Sequence, residues 1–125
     1  MDFNERFELY LAGGMINEND IKDVNSIINM FKEEYGVTLS EENAATFIAH
    51  ICAAYSRLNT DEMIEELPLE IVNQLKGLKT YELSLEVFEK VVKVTNNPIT
   101  EIEKGYFLLH INNLISAFKA DNQWN

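Results

Sequence analysis

Four separate stretches of this chain carry apolar residues at helical spacing, and nowhere does the strict alternation of a half-buried strand compete with them. From position 20 to 35 the apolar side chains fall at Ile21, Val24, Ile27, Ile28 and Phe31, a stripe of period 3.6. It stops at Gly36, where a residue just past a helix favours the left-handed conformation, and Asn17 or a neighbour can cap its start. Ser40 opens a helix to about Leu58, with Glu41 and Glu42 in the first turn, where carboxylates complement the helix dipole. Leu83, Val87, Val91 and Val94 mark a helix from about Thr80 to Val94, despite the β-branched run "VVKV". Thr100 and Glu103 have capping-box spacing and begin a helix reaching about Lys119.

Shorter pieces lie between these. Phe3 to Leu11 reads as an opening helix broken at Gly13-Gly14, and Pro68 to Leu75 as a short helix ended by Gly77. Asn96-Asn97-Pro98 is a turn. The expected fold is all-α, a compact bundle of about five helices joined by short loops. One domain spans 1–125, with its core at about 17–119, an N-terminal extension at 1–16 and a frayed tail at 120–125.

A chain of 125 residues, 46% of them hydrophobic, can bury a core without disulfides or metal. No apolar run reaches the roughly 18 to 20 residues of a membrane helix, and "MDFNERFELY" lacks the basic-then-apolar order of a secretory signal. A soluble, cytoplasmic protein is expected. Cys52 is alone within an apolar helical pattern and reads as a small buried hydrophobe. A net charge of -11, with only ten scattered Lys and Arg, argues against direct contact with a nucleic-acid backbone. The acidic surface suits solubility or a basic protein partner.

The two histidines sit in near-echoing contexts, "FIAHI" at Phe47 to Ile51 and "FLLHI" at Phe107 to Ile111. Phe47, Ile51, Tyr55 and Leu58 mark the inward face of one helix, and Phe107, Ile111, Leu114 and Phe118 that of the other. His50 and His110 fall at the borders of these stripes. Arg57, seven residues after His50, shares its azimuth roughly 10 Å along the axis, and its stem leans back toward the histidine. Glu103 is seven residues before His110, but it leans away and has a capping role to fill.

Histidines at a core border are usually just packed and hydrogen-bonded, and spacing alone does not set these two apart. A metal pair lacks support, with no HxxxH spacing, no paired cysteine and no third ligand. A catalytic base needs a nucleophile and a pocket that the sequence does not mark. A neutral imidazole at a helical rim can instead accept phosphate, adding roughly two negative charges beside packed helices, with Arg57 able to answer that charge. On so acidic a chain, new charge would have to be neutralised locally or push neighbouring surfaces apart, which is the physical basis of a switch.

These residues resemble the PTS regulation domain (PRD) family. In "EKGYFLLHINN", Glu103, Gly105, Tyr106, His110, Ile111 and Asn113 are similar to its E-x-G-aromatic…H-hydrophobic-x-N signature. His50 and Arg57 in "HICAAYSR" match the first signature, with Ala49 standing where family members often carry an acidic residue. The resemblance, over roughly Asp20 to Phe118, implies a stand-alone, non-enzymatic module without cofactor or catalytic residues. In it His50 and His110 would accept phosphate from HPr or enzyme II components of the phosphotransferase system, supported by Arg57, Glu103, Gly105, Tyr106 and Asn113. It further implies a homodimer, or docking on a regulatory protein partner, with no nucleic acid or membrane bound directly. The competing expectation is a helical interaction or dimerisation protein of sugar catabolism whose histidines are only structural. An enzyme would require a deep pocket of convergent polar groups around either histidine.

Overall fold

The computed structural model describes residues 2–124 and contains six helices and no strand among them. They are α1 (Phe3–Ala12), α2 (Glu18–Tyr35), α3 (Glu41–Thr60), α4 (Leu69–Lys76), α5 (Tyr81–Val94) and α6 (Glu101–Ala120). The expected all-helical class holds, with six helices where about five were expected: four are long, and α1 and α4 are the short pieces.

Local chemistry sets the ends. Asn17 and Asp20 form a reciprocal capping box, Asp20 N donating to Asn17 Oδ1 at 2.9 Å and Asn17 N to Asp20 Oδ2 at 3.0 Å. At the other end of α2, Gly36 takes φ 67°, and its N–H closes on Lys32 O. Ser40 N donates to the Asn43 side chain at the start of α3, and Glu103 N donates to Thr100 Oγ1 at the start of α6.

α6 is flanked by α5 and α3, α2 packs on both α5 and α3, and α4 leans on α6. The shared core is built from the stripes read in the sequence: Val24, Ile27 and Phe31, then Phe47, Ile51 and Tyr55, then Val87 and Val91, then Phe107, Ile111 and Phe118. Leu58, expected to point inward, is instead 36% exposed, because it borders an open apolar cavity that it lines together with Tyr55, Ile64 and Ile102.

Described residues toward either end of the chain also pack on this core. From α1, Phe7 is buried and Arg6 grips Glu41 of α3 with Nη2 2.7 Å from Oε1, while Ile16 is buried just beyond. Beyond α6 the chain turns back so that Trp124 stacks on Tyr35, ring centroids 4.8 Å apart, and meets Phe31 edge-on.

Candidate functional site

α3 and α6 lie side by side, each burying Phe and Ile neighbours that place a histidine at the border of the core. The two border positions face each other. The rings of His50 and His110 stack with centroids 4.4 Å apart and planes inclined by 26°. His50 also meets Phe107 edge-on at 5.0 Å and lies nearly parallel to Tyr106 at 6.1 Å. Three ring side chains spanning one turn of α6 thus enclose a single imidazole of α3.

Burial decides the charge state. The His50 pKa is pushed down to about 3, chiefly by burial, with His110 and Arg57 adding repulsion of a second positive charge. Burial also holds His110 below the ordinary histidine value. Both rings are therefore neutral near pH 7, and each has a nitrogen lone pair. His50 Nε2 is buried and has no hydrogen-bond partner. Neither residue is fully sealed, both being half-buried overall.

Arg57 and Glu103 depart from the roles their own helices suggested. Arg57 Nε lies 2.8 Å from Glu103 Oε2 and its Nη2 3.0 Å from Oε1, a bidentate bridge from α3 to α6. The Glu103 side chain is thus turned to Arg57 while its own N–H donates to Thr100, because a guanidinium fork outcompetes a neutral backbone N–H for a carboxylate. Arg57 still stands close enough to His50 to disfavour its protonation.

Gly105 and Tyr106 tie down the connection between α3 and α4. A Cβ at Gly105 would stand 3.4 Å from Leu67 Cδ1, and Tyr106 Oη donates to Glu65 O at 2.7 Å. Tyr106 therefore joins this segment to His50. Asn113 stands one turn beyond His110, and both line an open depression of about 340 Å³ together with Phe47 and the first turn of α3, including Glu41, Glu42 and Asn43. A second, more apolar cavity of about 260 Å³ is walled by Tyr55, Ile64, Ile102 and Phe107, with Arg57 and Glu103 at its side and neither histidine in its lining.

Two buried carboxylates escaped the sequence reading. Asp23 accepts hydrogen bonds from the backbone N–H groups of Asn96 and Asn97 at 2.9 and 2.8 Å, and from the Asn97 amide at 2.7 Å. Asp20 accepts from the amides of Asn59 and Asn97. They clamp the turn before α6 onto α2. The available signal was two acids on the inward side of α2, Asp20 four residues before Val24 and Asp23 four residues before Ile27. Asn112 is likewise buried and receives the hydroxyls of Thr80 and Ser84, the latter at 3.1 Å.

Among the described residues no three His, Cys, Asp or Glu side chains converge to hold a metal ion, and no helix is long and apolar enough to cross a membrane. Residues 25–114 match the family model described as PRD domain, 90 of the 125 residues and both histidines included. No curated protein and no solved structure matches the chain.

Proposed function

This chain belongs to the PRD domain family, and on that premise we propose that its histidine pair is the phosphoacceptor of a regulatory module of the bacterial phosphotransferase system. HPr or an enzyme II component is the donor, and the charge placed at the α3–α6 seam alters how two copies, or a copy and a regulatory partner, dock. The observation that carries the reading is the meeting of His50 and His110 at 4.4 Å, both neutral, beside an open depression.

Each part has a physical role. A neutral ring offers the lone pair that attacks phosphorus, which a protonated ring lacks. The incoming charge of roughly -2 lands between packed helices, beside the Arg57–Glu103 bridge, on a chain already at -11. Such charge favours whichever docked arrangement supplies cations. The cytoplasm, where these donors reside, is the matching location.

Incubation with phosphoenolpyruvate, enzyme I, HPr and candidate enzyme II domains tests this. The expected product is acid-labile phosphate on histidine, and its absence with every donor overturns the reading. Docking that persists unchanged in both His50→Gln and His110→Gln would favour a structural role for the rings.

A further inference from the structure

We infer that the apolar cavity beside the Arg57–Glu103 bridge is a binding site for a small, neutral, largely apolar molecule of one or two rings that carries a hydroxyl or carbonyl oxygen. The site is separate from the phosphoacceptor reading and stands without it.

Size and walls set the ligand class. The cavity measures about 260 Å³ and is lined by Tyr55, Leu58, Ile64, Ile102 and Phe107. An apolar protein cavity of about 150 Å³ already holds benzene, so this one has room for a second ring. Leu58 is 36% exposed and Met63 83% exposed on its lining, apolar surface that an occupant would cover.

The polar atoms of the lining are few and unmatched. Arg57 meets Glu103 through Nε and Nη2, which leaves Nη1 without a hydrogen-bond partner among the described residues. The Tyr55 hydroxyl is buried and makes no hydrogen bond; the Asn97 amide acts on it, but not at bonding geometry. Spare donors on two lining residues favour a ligand that brings an oxygen. Charge selects further. Glu62 and Glu101 also line the cavity, and Arg57 is already neutralised by Glu103, so an anion is repelled. A second copy of this chain, with its net charge of -11, would bring like charge to the same acidic edge. A neutral small molecule meets neither obstacle.

Occupancy should register at the histidine seam. Phe107 lines the cavity and meets His50 edge-on at 5.0 Å. Ile64 precedes Glu65, whose carbonyl accepts the hydroxyl of Tyr106, the ring lying nearly parallel to His50. A ligand that shifts either wall therefore moves a ring beside that imidazole.

2-Naphthol, naphthalene and 2-naphthoate, titrated into the full-length chain labelled at isoleucine methyls and histidine rings, test this by NMR. 2-Naphthol should shift the Ile64 and Ile102 methyls and the His50 ring, saturate at one equivalent and bind with a Kd below about 1 mM. Naphthalene should bind roughly threefold or more weakly for want of the oxygen, and 2-naphthoate roughly tenfold or more weakly because of its charge. Leu58→Trp, which fills a partly exposed corner of the cavity, should weaken 2-naphthol by about tenfold or more with helical content retained. If that variant fails to fold, the shift map and the order of affinities in the unaltered chain decide. Shifts that do not saturate, shifts centred on other residues, equal affinity for 2-naphthol and either other compound, or equal affinity in folded Leu58→Trp would overturn the site. So would movement of the Ile64 and Ile102 methyls on raising protein concentration with no ligand present, which would give the cavity to a second copy. An unmoved His50 ring at saturation would overturn the link to the seam.

Discussion

Arg57 reaches from α3 to Glu103 on α6 and holds both carboxylate oxygens, while Glu103 is only 8% exposed. Two helices that each carry a histidine are thereby pinned at one height. Because the carboxylate is nearly buried, its partner matters more than a surface ion pair would. Arg57→Met should cost about 2–4 kcal/mol by leaving that charge unpaired. The double change Arg57→Met with Glu103→Leu should cost clearly less than the sum of the singles, a coupling of about 1–3 kcal/mol in a urea-denaturation cycle. Additive losses would mean that the bridge carries no energy of its own.

Asp23 is the second fixed point. It is buried and accepts two backbone N–H groups of the turn before α6, so Asp23→Ala strands donors in the interior. The expected loss is about 2–4 kcal/mol by urea denaturation. A loss below about 0.5 kcal/mol, in the range of ordinary surface substitutions, would show that the turn is held by other contacts.

Stability should fall in mild acid through the histidines. The folded-state pKa of His50 is about 3 against an ordinary 6.5, so between these values the unfolded chain binds a proton that the folded chain does not. Stability is therefore retained above about pH 6.5 and declines as pH falls toward 3, by up to about 1 kcal/mol per pH unit from this group. His110 acts in the same direction. Comparing unfolding at about pH 7 and about pH 5, His50→Gln should show a flatter dependence than the unaltered protein. Equal slopes would place the acid sensitivity elsewhere.

Tyr106 and Gly105 hold the segment between α3 and α4 in different ways. Tyr106→Phe removes a bond to Glu65 O at 2.7 Å and should cost about 0.5–1 kcal/mol, with faster proteolysis within residues 62–68. Gly105→Ala places a methyl group 3.4 Å from the movable Leu67 side chain, so the helix-propensity gain of about 1 kcal/mol should prevail. A marked loss of stability in Gly105→Ala would mean that Leu67 cannot give way.

Much of this was legible in the sequence, and what was not has a common cause. The long helices α2, α3, α5 and α6 announce themselves because each stripe is a property of one segment. The border positions of His50 and His110 follow from the same periodicity. Their meeting does not, since it depends on how α3 and α6 are set against each other. Glu103, read within its own helix, had only Thr100 to answer to, whereas Arg57 lies 46 residues away. Asp23 finds its partners 73 and 74 residues on, and Trp124 finds Tyr35 across the whole molecule. Single-helix reasoning finds faces, and only packing reveals partners.

The account depends most on one reaction. Phosphorus NMR of the chain, after incubation with phosphoenolpyruvate, enzyme I, HPr and enzyme II domains, should show a phosphohistidine resonance that vanishes in acid and is missing from the variant carrying both His50→Gln and His110→Gln. A spectrum with no such resonance for any donor, or one that survives in that double variant, would contradict it.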